Sequence, residues 1–299
     1  MTRQAAVRLA HGALAPRRVD ELIDRFGTID AAVDAVERGL PRLPDASQQA
    51  IRVDRATREA ELLALGVEFV MAGDESYPGR LTNYDGAPRW LFVRGRMPEG
   101  PAIGIVGSRA CTAYGRELAA AYGLAAVRSG WNVVSGLARG IDAAAHRGAR
   151  PDQPPTSGTG RCIGVLGCGI DVVYPAENRS LHQVVAASGA IVSEYPPGIR
   201  PDAWRFPTRN RIIAGLSDIV LVVEASVTGG ALITARIAID YGVPVYAVPG
   251  DIDRSTSAGT NALIRDGAFP IFGADDLAAV LDLLAPLTQT APKSMAGGV

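Results

Sequence analysis

From residue 102 to residue 273 the chain repeats one texture: a short, nearly continuous apolar run, a turn of small residues, then a stretch at helical spacing. The runs AIGIVG (102–107), WNVVSG (131–136), CIGVLG (162–167), AIVSE (190–194), DIVLVVE (218–224), VPVYAVPG (243–250) and a short FPIFG (269–273) predict strands, with helices between most of them. Strands apolar on both faces and alternating with helices imply a mostly parallel sheet covered on both sides, an α/β, doubly wound, Rossmann-like domain. Such sheets bind ligands at the carboxyl ends of their strands. Residues 1–70 read differently: RRVDELIDRFGTIDAAVDAVERG (17–39) mixes polar and apolar positions at helical spacing, and predicts a small all-helical domain. Residues 71–101, rich in Gly and Pro, read as a connector with a short strand at Trp90–Arg94, which leaves 102–285 for the main domain. RGARPDQPPTSGTGRC (147–162) is expected as an exposed, mobile loop, and 286–299 as a disordered tail.

Composition narrows the chemistry. With 299 residues, 47% of them hydrophobic, the chain can build one large domain and a small one. A net charge of -1 excludes polyanion binding by bulk charge, so any affinity for nucleic acid must come from a local patch of arginine. Lys293 is the only lysine, which removes the Walker P-loop and Schiff-base chemistry from the folded body. Cys111, Cys162 and Cys168 form no C-x-x-C pair, and His11, His146 and His182 are scattered, so neither a metal nor a disulfide is expected. No window supplies the roughly 18 uncharged apolar residues of a membrane span, and the chain reads as a reduced, cytoplasmic protein.

The residues just after each strand share a character. Gly107, Ser108 and Arg109 follow the first, Ser135, Gly136 and Arg139 the second, and Gly229 and Gly230 stand in the turn after the fifth. Glycines let backbone N–H groups approach a ligand, hydroxyls donate further, and helices are expected to begin just beyond, which is phosphate-binding chemistry. Asp142 and His146, four apart, make either an acid/base pair or a local hydrogen bond; Glu194 and Glu224, each closing a strand, are either catalytic or paired with the nearby arginines. Neither GIVGSR nor GCGIDV completes the dinucleotide fingerprint, and no cofactor is expected. In FPTRNRIIAGLSDIVLVVEA (206–225), Thr208 reads as an N-cap that sets Arg209, Asn210 and Arg211 in the first turn of a helix. Two arginines at a helix N-terminus cost on the order of 0.3–1 kcal/mol each unless an anion arrives. Two positions apart they point about 200° away from each other. Arg209, nearer Phe206, is therefore assigned to a phosphate, and Arg211 to a carboxylate, Glu194 or Glu224.

Taken in order and spacing, IVGSRACTAYG, VVSGLARGIDAAAH, GVLGCGIDVVYPAEN, IVSEYPPG, FPTRNRIIAGLS, GGALITARIA, VYAVPGDI and GTNALIRDGA resemble the DNA-processing protein A (DprA, or Smf) family of bacteria over about residues 70–283. The resemblance implies an extended Rossmann-like domain that binds single-stranded DNA, forms homodimers and helps place the RecA recombinase on DNA during natural transformation. The helical N-terminal region looks like the sterile-alpha-motif-type domain of many members. By this resemblance Gly107, Ser108 and Arg109 form a phosphate pocket with Ser135, Gly136 and Arg139 beside it. Phe206, Arg209 and Asn210 extend it, with Phe206 as a ring for base stacking; Gly229 and Gly230 also bind DNA. Asp142, His146, Glu194, Arg211 and Glu224 support the pocket and do not catalyse. A dimer interface is expected near Asn261–Gly267, with Leu263 and Ile264 either in it or in the monomer's core. Three departures stand out: Thr228 and Gly229 replace the family's frequent Ser-Gly, the 147–162 loop looks long, and no winged-helix domain follows residue 285. An alternative is a nucleotide-processing enzyme of phosphoribohydrolase type, which shares a GG-x-x-T turn. Against it, Ala231–Ala238 offers only Arg236 as a charged side chain, with no catalytic Glu. A pure protein-interaction adaptor leaves the arginine rim unexplained.

Overall fold

The computed structural model describes residues 2–149 and 158–289. Residues 150–157 of the expected 147–162 loop, and the tail from residue 290, lie outside the described residues. The chain opens with five helices, α1 (Arg3–His11), α2 (Pro16–Phe26), α3 (Ile29–Glu37), α4 (Asp45–Arg52) and α5 (Arg55–Ala64). Their starts are locally encoded. Thr28 accepts from the Ala31 N–H and Asp54 from the Thr57 N–H, while Pro16 takes the first position of α2, where its missing N–H costs nothing. Leu9, Leu22, Val33, Val36 and Ile51 bury the inner faces of this domain.

The strand expected in the connector at Trp90–Arg94 is present, and a second strand, not expected, forms at the end of the region read as all-helical. β1 (Val67–Met71) and β2 (Trp90–Gly95) pair antiparallel, and β2 in turn pairs antiparallel with the strand at 190–193. A five-residue strand abutting a helix shows too few periods to declare itself, and its pairing partners decide its state. The other strands follow the expected rhythm: β3 (Ala102–Val106), β4 (Asn132–Ser135), β5 (Cys162–Leu166), β6 (Ala190–Ser193), β7 (Ile219–Val222), β8 (Val245–Ala247) and β9 (Phe269–Pro270). Between and after them run α6 (Ala113–Arg128), α7 (Ile141–Gly148), α8 (Arg179–Ser188), α9 (Arg205–Gly215), α10 (Gly230–Asp240), α11 (Ala258–Arg265) and α12 (Ala274–Gln289). α12 carries the helix through 286–289, which the sequence assigned to the tail.

The sheet runs in the order β1-β2-β6-β5-β4-β3-β7-β8-β9, parallel from β6 to β9. Successive residues face opposite sides, as the pleat requires. Ile103, Ile105, Val133 and Leu221 pack with α6, α7, α8 and α12, whereas Val106, Val134, Val220 and Val222 pack with α9 and α10. α6 and α7 meet so closely that a Cβ at Gly123 would stand 2.1 Å from the Ala145 carbonyl oxygen and one at Gly148 would stand 1.9 Å from that of Ala120. This contact fixes the turns that precede both helices. From the central β3 the chain winds outward through β4, β5 and β6, then returns to start β7 on the other side. The turns leaving β3 and β7 therefore diverge, and open a crevice at the carboxyl ends of the two strands. No helix among the described residues is long and apolar enough to cross a membrane.

Candidate nucleic-acid interface

A cavity of about 960 Å³ occupies that crevice. Gly107, Ser108 and Arg109 line it from the β3–α6 turn, Phe206, Arg209 and Asn210 from α9, and Gly229 and Gly230 from the start of α10. The β3–α6 turn is clamped from both sides. Ser108 donates its N–H to the Glu224 carbonyl at 2.7 Å and accepts from the Ile141 N–H at 3.2 Å. Gly140, at φ 74°, passes so near that a Cβ there would sit 2.2 Å from the Ser108 carbonyl oxygen. Arg109 projects from this rigid turn, and its guanidinium lies 4.9 Å from the centre of the Phe206 ring. Among the described residues Arg109 forms no ion pair. Tyr174 packs against the same ring at 5.5 Å. The result is a cation and two aromatic rings mounted together at a strand-end crevice, which can take a phosphate and stack a base.

The carboxylates nearby are committed. Glu224 accepts from the Thr112 N–H at 2.9 Å and its hydroxyl at 2.5 Å, while that hydroxyl caps α6 by accepting from the Gly115 N–H. Gly115 is glycine for this reason: a Cβ would fall 2.3 Å from the Glu224 carboxyl carbon. Asp142, which also lines the cavity, accepts from the Gly136 N–H at 3.0 Å. Burial pushes its carboxyl above the ordinary range, against the pull of Arg209 and of that N–H. Glu194 belongs to a different place: Arg211 Nη2 donates to both of its oxygens at 2.7 and 2.8 Å on the far flank of α9. His146 is fully buried in the core, where desolvation pushes it down to about 4. It does not line the crevice.

Several expected placements change. α9 begins at Arg205, three residues before the expected cap, and the Thr208 hydroxyl donates back to the Trp204 carbonyl. Pro207 does not delay the helix, because the first N–H groups of a helix have no partner inside it. Arg209 consequently sits in the body of the helix, only 4% exposed. Its guanidinium donates to the carbonyls of Gly136, at 3.0 Å, and Val165. It braces the strand ends at the floor of the cavity, with its guanidinium already donating to those two carbonyls. Ser135 is buried and donates to the Ile105 carbonyl at 2.6 Å, and Arg139 points outward into a two-bond ion pair with Glu177 at 2.8 and 2.9 Å. Neither lines the crevice. Arg211 does pair with Glu194, as its helical phase required. Leu263 and Ile264 are half-buried on α11, beside an edge where Phe269, Phe272 and Ile252 are exposed.

The sequence reading missed Tyr174, Arg200, Asp202 and Thr234, all of which line the cavity. Arg200 and Asp202 stand in a β6–α9 loop with no periodic signal, and Tyr174 in a β5–α8 loop. An arginine and an aromatic in Pro-containing loops at strand ends, GIRPDAW and VVYPAEN, were the available clue. Among the described residues no three His, Cys, Asp or Glu side chains group to hold a metal ion.

Residues 68–282 match the family model of DNA recombination-mediator protein A. The chain is 37% identical to DNA processing protein DprA of Bacillus subtilis over 250 residues, 83% of this chain and 78% of that one. It is 40% identical to protein Smf of Synechocystis over 228 residues, 74% of this chain but only 56% of that longer protein. Among solved structures, DprA of Streptococcus pneumoniae superposes with a TM-score of 0.74 at 32% identity, covering 91% of this chain and 95% of that one. DNA processing protein A of Helicobacter pylori, whose structure describes a single-stranded DNA binding mode, superposes at 0.63 with 27% identity, over 72% of this chain and 95% of that one. A match spanning the whole sheet domain, made on a fold whose strand-end crevice carries the GSR turn, places the chain in the DNA recombination-mediator protein A family.

Proposed function

We propose that the chain binds single-stranded DNA in the β3/β7 crevice, protects an incoming strand during natural transformation and recombination, and helps load RecA on it. The observation that carries this reading is Arg109: a cation in no ion pair among the described residues, held on a clamped turn and stacked on Phe206. A phosphate meets that guanidinium while a neighbouring base finds the Phe206 and Tyr174 rings. A flexible strand can turn its bases toward such a recess, and a duplex keeps them stacked inside. The H. pylori relative's single-stranded DNA binding mode supports the same choice. The nucleotide-processing alternative needs a carboxylate free to move a proton, and Glu224, Glu194 and Asp142 are each tied to a structural partner. We therefore read the crevice as a binding site without turnover, working as a homodimer in the reducing cytoplasm, with its three cysteines free.

Fluorescence anisotropy with labelled single-stranded and duplex oligonucleotides, over a series of salt concentrations, tests this. Expected is a clear preference for the single strand and a log–log salt slope of about 0.7 per neutralised phosphate. Equal affinity for the duplex at moderate salt would rule the reading out.

A further inference from the structure

Helix α9 has two working flanks. Phe206, Asn210 and Ile213 follow each other at i, i+4 and i+7 and line the crevice; Trp204, Thr208 and Arg211 repeat the spacing on the other flank and line a second cavity of about 430 Å³. This cavity lies between the α1–α2 turn, the loop before β2 and α9, with Leu14, Pro16 and Val19 from the helical domain in its wall. Two indoles face it, the buried Trp90 and the 38% exposed Trp204. At its polar end is the Glu194–Arg211 pair. Arg211 Nη1 is buried and, among the described residues, has no hydrogen-bond partner. At the rim stands Arg17, exposed and in no ion pair among the described residues.

We infer that this second cavity takes another base of the same single strand, so that α9 is straddled by two splayed bases. The inference rests on the single-strand reading of the crevice. A plain seam between two packed domains needs neither a largely buried ion pair with an unused buried donor nor an exposed indole, and burying such a donor costs free energy. A base answers each feature. Its faces suit the indoles, an edge acceptor suits Arg211 Nη1, its edge donors suit the lone pairs that remain on Glu194, and the phosphate beside it suits Arg17. The two cavities are also joined mechanically. Trp204 Nε1 donates at 2.7 Å to Asp202, which lines the crevice, and Arg205 lies over both Trp204 and Tyr195, at 4.8 and 5.1 Å, on the ridge between. That ridge gives the backbone a cation to cross.

The chain holds three tryptophans, and Trp131 is wholly buried in the sheet domain's core, so the two that line the cavity report on it. Oligothymidylates of about 4 and about 15 nucleotides separate occupancy of one cavity from occupancy of both. On the wild-type chain the longer strand should quench tryptophan emission and the shorter one should not. Ala87→Trp, which fills the cavity from its wall, should weaken binding of the longer strand about tenfold and leave the shorter unchanged, and Trp204→Ala, which also frees Asp202, should weaken the longer strand about tenfold and the shorter one far less. Wild-type affinity of both variants for the longer strand, or equal quenching by both lengths, overturns the inference while Phe206→Ala still loses affinity for both. If Arg109→Ala and Phe206→Ala lose nothing at either length, the crevice reading itself has failed and this inference falls with it. The fluorescence measurement needs no variant, so it decides even if a substitution prevents folding.

Discussion

The backbone of Gly136 lies directly against the guanidinium of Arg209: a Cβ built on Gly136 would stand 2.3 Å from both terminal nitrogens. The arginine cannot swing aside without releasing the Gly136 and Val165 carbonyls, so the glycine is demanded by the arginine. Gly136→Ala should therefore destabilise by about 1–3 kcal/mol through overpacking. Arg209→Ala should cost about 3–5 kcal/mol, since it leaves the buried Asp142 without its counter-charge. In the double variant the clash is gone, and urea unfolding should show less than the sum of the two losses.

The Arg209→Ala loss should also depend on pH. Burial already raises the Asp142 pKa, and removing the guanidinium raises it further. A folded-state pKa above the unfolded one means that the penalty is present in full at pH values above the raised pKa. It is relieved as the pH falls through that value and the carboxyl takes up a proton. Unfolding free energies at neutral pH and near pH 4 should show the gap between wild type and Arg209→Ala narrowing on the acid side; a constant gap would exclude Asp142 as the partner.

His146 and His182 make the opposite prediction for the wild-type chain. Desolvation pushes both from 6.5 down to about 4. The unfolded chain therefore takes up these protons first as the pH falls, so stability is complete above about 6.5 and is lost between there and about 4. The loss is at most roughly 3 kcal/mol for each histidine. A His146→Leu variant should show a flatter profile of unfolding free energy across that window.

How much of this was legible can be judged on α9. The divergence of Arg209 and Arg211 follows from 100° per residue alone, and Arg211 reaches Glu194 as that phase demands. The direction of Arg209 was not legible, because it depends on the carbonyls of Gly136 and Val165, which parallel pairing of β4 and β5 brings under the helix from far away in sequence. The strand-end glycines were visible as a class, yet they serve different masters. Gly107 yields to Ile141, Gly136 to Arg209 and Gly140 to the Ser108 carbonyl, while Gly230 alone of these meets nothing within 4 Å and opens on the cavity. Small residues announce close approach without saying what approaches. β2 was legible as the short strand at Trp90–Arg94, but β1 and its antiparallel pairing with β2 were not, since a strand appended to a parallel sheet is fixed by its neighbours.

The exposed edge at β9 bears on the proposed homodimer. Phe272 is 75% exposed and Ile252 96%, beside the half-buried Leu263 and Ile264. An unpaired edge strand with apolar neighbours is a template for a second chain. Light scattering should give about twice the 31.2 kDa chain mass at micromolar concentration, and Phe272→Arg should return the monomer without lowering its melting temperature.

Two arginines on neighbouring strand-end turns provide the sharpest test of the site. Arg109 stacks on Phe206 inside the crevice, whereas Arg139, read from the sequence as its companion, is exposed outside it and occupied by Glu177. Arg109→Ala should weaken single-strand binding, lower the salt slope by about 0.7 for one lost phosphate contact and leave the fold's melting temperature unchanged, because the side chain is exposed. Phe206→Ala should lose about 1–3 kcal/mol of binding with the salt slope intact, since stacking neutralises no phosphate. Arg139→Ala should alter neither affinity nor slope, because its charge already faces a carboxylate and lies off the cavity. If Arg139→Ala lowers the slope as Arg109→Ala does, the strand runs over the β4–α7 turn, with Glu177 displaced by a phosphate, and the crevice would be only part of the path.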